Sequence, residues 1–181
     1  FPLTKPISDG VHNALNALWI GFLKAMNEIE GICGNEKVAE TDEVIRSFYK
    51  AFYNDETGLF CDSESKTHSA VHSNIFPLLF GIYGKDEELK KRLVKMIYDK
   101  KLNSMGVYMA YFALAALVEN GERDKAIELT LDKNAWLNMI KEGATTTFEA
   151  WGKEQKWNTS LFHPWAVAPL IVFNESGIKV Y

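Results

Sequence analysis

The sequence has little of what marks several common classes of protein. It holds two cysteines and 20 basic against 24 acidic side chains, and no apolar run approaches the ~18–20 residues of a membrane-spanning helix. The lysines are scattered along amphipathic segments rather than clustered, so no basic stripe would match a nucleic-acid backbone. We therefore expect neither nucleic acid nor a membrane as a partner, and the compartment stays unknown.

Motifs for metal, thiol and phosphate chemistry are also scarce. Cys33 and Cys61 stand outside any CxxC arrangement, and the sequence leaves open whether they form a disulfide or two free thiols. His68 and His72 have a spacing that can hold zinc on a helix, but no HExxH glutamate lies between them. There is no Gly-rich phosphate loop and no GxSxG elbow. We predict no metal site.

Apolar residues instead recur at steps of three and four, the period of an α-helix. The first series predicts one amphipathic helix, ended by Gly31 and Gly34, whose apolar face is formed by Val11, Leu15, Leu18, Phe22, Met26 and Ile29. A second helix over 36–52 would complete an αα-hairpin. The one convincing strand-like segment in this part of the chain is Leu59 to Asp62.

The later helices differ in how much of their surface is apolar. Those near 69–83 and 105–119 are apolar around most of their circumference and should be inner helices, whereas 86–100 and 122–131 carry one narrow apolar stripe and should be outer helices. A last helix over about 159–173 would hold Pro164 in its first turns and kink at Pro169. We predict an all-α fold in one domain, 1–181, with about seven helices in hairpins that form part of a toroid.

The residues from 141 to 165 have the composition of a binding site. This stretch holds a lone acid, Glu149, after three β-branched threonines at 145–147 that favour an ordered loop over a helix. A general base must be held near the reacting water, and aromatic neighbours shape such a pocket. His163 could donate a hydrogen bond to a sugar hydroxyl. The aromatic walls would be Phe148, Trp151, Trp157 and Trp165. Equally open from residue types alone is a solvated loop acid beside core tryptophans.

Four segments carry a likeness to a known family. The most specific is Glu-Gly-Ala-Thr-Thr-Thr-Phe-Glu-Ala-Trp at 142–151, followed by Phe-His-Pro-Trp at 162–165. The others are Thr-His-Ser-Ala-Val-His-Ser-Asn at 67–74 and Val-Tyr-Met-Ala-Tyr-Phe at 107–112. Together they resemble the C-terminal half of the catalytic domain of bacterial α-L-rhamnosidases, over about residues 10–174.

The resemblance implies a glycoside hydrolase on an (α/α)6 barrel that removes terminal α-L-rhamnosyl groups with inversion. Glu149 would be the general base that activates water, His163 a sugar-contacting residue and Trp151 part of the wall, with Trp157 and Trp165 as further substrate-binding residues. Two carboxylic groups and water suffice for this chemistry, so no cofactor is expected. The expected ligand is a rhamnose-containing oligosaccharide or glycoside.

The family places its general acid upstream, in an Asp-rich segment that has no counterpart in this sequence. Because about seven of twelve helices are predicted, we expect a fragment of a longer enzyme that is weak or inactive alone. Its open edge should self-associate or pack onto the missing segments. The alternatives are another (α/α)6 glycosidase, or a non-catalytic helical domain that binds carbohydrate or a neighbouring protein.

Overall fold

The computed structural model describes residues 10–66 and 68–177, which form eight α-helices, one small sheet and three short 3₁₀ helices. The chain divides into two compact units, Phe1–Leu93 and Val94–Tyr181. The prediction of an all-α fold is confirmed, and the count is eight α-helices where about seven were expected. Thr67, in one of the segments that carry the family likeness, lies outside the described residues, as do both ends of the predicted domain.

The first unit is built from a helical hairpin, a β-hairpin and a third helix. Its elements are α1 (Asn13–Cys33), α2 (Thr41–Phe52), β1 (Tyr53–Asn54), β2 (Leu59–Phe60), α3 (His72–Leu79) and the start of α4 (Glu87–Lys100). The predicted pairing of α1 with α2 is confirmed by their contact. Gly34 ends α1 in the left-handed region at φ 77°, which glycine adopts without steric cost, whereas Gly31 lies inside the helix.

The buried face of α1 is not the one that its apolar series defines. Asn13, Ala17, Ile20 and Leu23 are buried. The exposed large apolar side chains of α1 and of the two residues before it include Val11, Leu15, Leu18, Trp19, Phe22, Ile29 and Ile32. The helix is therefore apolar on two sides, and it contacts α2 and α3.

The β-hairpin leads into a turn that contains Asp62, and this turn contacts α3. Strand β1 pairs antiparallel with β2, Tyr53 opposite Phe60, around a turn that Gly58 allows at φ 66°. The Asn74 side chain on α3 clamps β2, accepting from the Phe60 amide at 3.0 Å and donating to the Phe60 carbonyl at 3.1 Å. The predicted extended segment is thus confirmed for Leu59 and Phe60, and the residues after it form a turn.

The second unit is organised around one buried helix. Its helices are the end of α4, α5 (Val107–Glu119), α6 (Arg123–Thr130), α7 (Trp136–Lys141) and α8 (Ala168–Glu175), with 3₁₀ turns at Leu102–Ser104, Lys153–Gln155 and Pro164–Ala166. Helix α5 contacts α6, α8 and the 3₁₀ turns before it and at Pro164–Ala166. Five consecutive residues of α5, 113–117, are buried, which confirms its prediction as an inner helix.

The last helix is shorter than its apolar pattern predicts. Residues 159–163 are not helical, Pro164 opens a 3₁₀ turn, and α8 begins only at Ala168. Pro169 lies in the first turn of α8 and does not kink a longer helix, because proline lacks the N–H that an interior position needs. The non-helical residues 159–163 instead run alongside the loop that carries Glu149.

Candidate active site

Two irregular segments of the second unit lie side by side and form the base of the site. The Thr147 carbonyl accepts from the His163 amide at 2.8 Å, and the Thr147 hydroxyl donates to the His163 carbonyl at 2.5 Å. Further along, the Glu149 amide donates to the Ser160 carbonyl at 2.9 Å. The expectation of an ordered loop after the threonines is confirmed, since residues 147–149 are non-helical and these bonds fix their backbone.

The Glu149 carboxylate is held by two donors from the opposite segment. Oε1 accepts from Lys156 Nζ at 2.6 Å, and Oε2 accepts from the Ser160 amide at 3.1 Å. The side chain remains 30% exposed. A carboxylate offers about four lone-pair directions, so these two bonds leave acceptor capacity for water.

These donors also determine the charge of Glu149. The hydrogen bond from Lys156 and then that from the Ser160 amide hold the pKa of Glu149 below its ordinary value, and the charges of Lys156 and His163 act in the same direction. Hydrogen bonds and positive charge favour the ionised form, so the carboxylate is deprotonated at neutral pH. A group in this state can accept a proton.

His163 is brought to the same place by the backbone pairing. Its main chain is joined to Thr147, two residues before Glu149, and its ring is close enough to influence the ionisation of that carboxylate. The side chain is half-buried. The two residues that the resemblance assigns to water activation and sugar contact are therefore neighbours in the structure.

The three tryptophans of the stretch lie in three different environments. Trp151 is buried, its indole N–H donating to the Met105 carbonyl at 2.6 Å and its ring meeting Trp136 edge to face. Trp157 is 95% exposed. Trp165 is 62% exposed and stacks on Tyr108 with ring centroids 4.9 Å apart. Their predicted roles at the substrate stay predictions, and Trp165 alone of the three pairs a large exposed area with a stacked ring.

Two of the recesses on this unit are lined in part by residues of the stretch from 141 to 165. One, of about 350 Å³, is lined by Tyr108, Tyr111, Phe112, Trp165, Ala168 and Ile171. We call it the aromatic recess. The other, of about 400 Å³, is mainly polar and is lined by Asn103, Asn134, Asn138, Glu142, Trp151, Gly152, Glu154 and Gln155. Several of its groups are occupied within the fold, since Asn138 donates to the Trp151 carbonyl at 2.7 Å and to Glu142 at 2.8 Å.

Sequence reasoning missed Lys156 and Tyr108. Lys156 follows Glu149 by seven residues with only the 3₁₀ turn at Lys153–Gln155 between them, so no α-helical or strand spacing marks the pair. Tyr108 lies far from Trp165 in sequence and meets it because α5 packs against the turn at Pro164–Ala166. The signal that was available is the segment 107–112, which the resemblance had already singled out.

The first unit contains a second polar cluster, around Asp62. Its carboxylate accepts from the Ala70 amide at 2.7 Å, from the Ser73 hydroxyl and from the His68 ring. Burial lowers the pKa of His72, opposed by the charge of Asp62. Within residues 10–66 and 68–177, no three His, Cys, Asp or Glu side chains are placed to share a metal ion.

Both cysteines are free thiols, Cys33 exposed and Cys61 buried. Burial raises the pKa of the Cys61 thiol. None of the helices described is both long and apolar enough to cross a membrane.

Comparison with protein families identifies the family to which this fold belongs. The model of the bacterial alpha-L-rhamnosidase 6 hairpin glycosidase domain matches residues 11–175, which is most of the chain and includes both paired segments. Comparison with curated proteins gives no match. The match confirms the resemblance and agrees with a helical chain that has only a two-stranded sheet. The chain belongs to the family of bacterial α-L-rhamnosidase six-hairpin glycosidase domains.

Proposed function

We propose that this domain supplies the water-activating side of an inverting α-L-rhamnosidase, with Glu149 as the general base. The observation that carries this proposal is the state of the Glu149 carboxylate, which is ionised, fixed by two donors, partly exposed and beside His163. A base needs a deprotonated form at the working pH and a fixed position. His163 contacts a hydroxyl of the bound sugar, and Trp151, Trp157 and Trp165 belong to the substrate-binding surface.

Inversion requires a second carboxylic acid that protonates the leaving oxygen, about 6.5–9.5 Å from the base so that a water fits between them. We assign this role to a residue of the enzyme outside the present sequence, because the Asp-rich segment that holds the general acid in the family has no counterpart here. The nearby Glu142 is engaged within the fold, where it accepts from the Lys153 amide at 2.7 Å and from Asn138. The 181-residue chain alone is then weak or inactive.

The test is the Glu149→Gln substitution in the intact enzyme that contains this domain, assayed on phenyl α-L-rhamnoside. Loss of the base should reduce kcat on the order of a hundredfold or more. Glu154→Gln is the matched control, since Glu154 is an exposed acid of the same unit and its loss should leave the rate unchanged. An unaltered rate in Glu149→Gln would overturn the assignment.

Two further measurements define the mechanism and the sugar. Azide attacks without help from a base, so it should restore turnover of a Glu149→Ala variant and give a rhamnosyl azide of inverted configuration. In the wild type, NMR of the first product should show the β anomer. A panel of phenyl glycosides tests the substrate, and faster hydrolysis of another sugar would replace rhamnose in the proposal.

A further inference from the structure

We infer that the aromatic recess binds a flat aromatic ring, the aglycone of an aryl glycoside, rather than a second sugar unit. For the molecule that carries the ring this inference rests on the proposed function. Binding of the ring itself does not depend on Glu149. The argument uses the lining of the recess, its size and its distance along the chain from His163.

The lining offers stacking surface and almost no hydrogen-bonding groups. Four of its six residues are aromatic, and the other two are Ala168 and Ile171. The polar side-chain groups among the six are the hydroxyls of Tyr108 and Tyr111 and the indole N–H of Trp165, three groups for the whole recess. A sugar unit would bury several hydroxyls there without partners, each at a cost in free energy, whereas an aromatic ring carries few polar groups that need a partner.

The exposed ring of Trp165 is already oriented for stacking. It lies at 25° to the ring of Tyr108, and both side chains are at least half exposed. Aromatic rings prefer offset-stacked or edge-to-face contacts with neighbours, so the face and edges left open to solvent would receive a planar ligand. Exposed aromatic surface of this kind is uncommon unless it binds something.

The size and position of the recess suit the leaving group of the proposed reaction. Its volume of about 350 Å³ lies at the lower end of small-molecule pockets, enough for one or two rings. Trp165 follows His163 by two residues, and His163 is beside Glu149. A glycoside whose sugar contacts His163 can therefore extend its aglycone towards Trp165.

The experiment compares ligands that differ in only one part, using the isotope-labelled 181-residue chain and the NMR signals of its indole N–H groups. Phenyl α-L-rhamnoside and methyl α-L-rhamnoside share the sugar, whereas phenyl β-D-glucoside shares the ring with the first. Both phenyl compounds should shift the Trp165 signal, and the methyl compound should not. A methyl compound that shifts Trp165 as strongly as the phenyl compounds would overturn the inference.

Substitutions in the aromatic recess test where the phenyl ring binds. Trp165→Ala should weaken binding of phenyl β-D-glucoside about tenfold, because it removes the stacked ring, and Trp165→Phe should retain most of the affinity. Trp19→Ala is the matched control, since that exposed tryptophan belongs to the first unit and lies outside the recess, and the variant should bind like the wild type. If Trp165→Ala does not fold, Tyr108→Leu removes the other stacked ring and should weaken binding several-fold.

Other outcomes are equally decisive. Equal loss in Trp19→Ala, or no loss in Trp165→Ala and Tyr108→Leu, would contradict a site in the recess. A Trp165 signal that moves on dilution without ligand would mean that a second copy of the chain occupies the recess. Ring binding with an unaffected Glu149→Gln enzyme would leave this inference standing while the proposed base is rejected, so the two can fail separately.

Discussion

Each of the two compact units holds a loop around one carboxylate, and the two carboxylates are used differently. The Asp62 side chain in the first unit is 11% exposed and accepts from the Ala70 amide, the Ser73 hydroxyl and the His68 ring. Burial acts to raise the pKa of Asp62, but the hydrogen bonds outweigh it and hold that pKa below its ordinary value. The turn folds around this charge, so Asp62 has a structural task.

Glu149 in the second unit has fewer donors and more exposure. Its partners are one flexible lysine, Lys156, and one backbone amide. Both carboxylates are ionised, yet only Glu149 keeps a solvent-facing side with acceptor capacity. The contrast teaches that a lowered pKa alone does not mark a catalytic carboxylate, and that the number of fixed donors separates the two cases.

The largest expected effect concerns the stability of the first unit. Asp62→Ala should lower the free energy of unfolding by about 2–4 kcal/mol, because it leaves several donors of a nearly buried turn without their acceptor. Urea denaturation followed by circular dichroism measures this. Glu149→Ala is the comparison variant and should unfold at the same urea concentration as the wild type. Equal destabilisation by the two changes would remove the distinction drawn here.

The dependence of stability on pH tests the same comparison. Because the folded pKa of Asp62 is depressed, its contribution to stability is fully present above the unfolded pKa, about 3.9, and is lost as pH falls through the lower folded value. Stability of the wild type should therefore decrease below about pH 4, and Asp62→Asn should show a smaller decrease over the same range. Identical slopes in the two proteins would contradict the structural role.

A moderate effect is expected when Lys156 is replaced by methionine in the intact enzyme. Lys156 lowers the pKa of Glu149, so its removal raises that pKa, and the acidic limb of the profile of kcat/KM against pH should move to higher pH. Activity at neutral pH should fall less than about tenfold, because the base itself remains. Lys153→Met is the control, since Lys153 bonds to Glu142, and its profile should not move.

The sequence predicted the positions of the helices well, but it predicted less well which face of a helix is buried. Repeats of three and four residues located the helices, and the β-branched run before Glu149 indicated its loop. The series from Val11 to Ile29 assigned the wrong face to α1, because a helix that is apolar on two sides gives no sequence signal for which side is covered.

At the candidate site, sequence-based prediction meets the same limit. The resemblance identified Glu149 and His163, and the paired segments bring them together. The partner Lys156 and the stack of Tyr108 on Trp165 depend on loop geometry and on helix packing between distant residues. No local periodicity encodes such contacts, so they required the structure.

The smallest expected effect is on self-association, and it concerns the apolar surfaces that the two units expose. In the second unit this surface includes a recess suited to a small ring. In the first it is the exposed side of α1, where Trp19 and Phe22 stack with centroids 5.3 Å apart and Leu15 is 67% exposed. Exposed apolar side chains along a 21-residue helix form a long stripe, and a second apolar protein surface would cover a stripe of that length.

We therefore propose that the isolated chain self-associates weakly through α1, a different surface from the open edge of inner helices for which the sequence predicted self-association. Phe22→Lys places a charge in the centre of the exposed stripe and should lower the association constant several-fold in sedimentation velocity runs at increasing concentration. Trp165→Ala, a change in the apolar surface of the other unit, should leave association unchanged. The mass of one chain at high concentration would contradict self-association, and equal sensitivity to both changes would show that the two surfaces do not differ in what they bind.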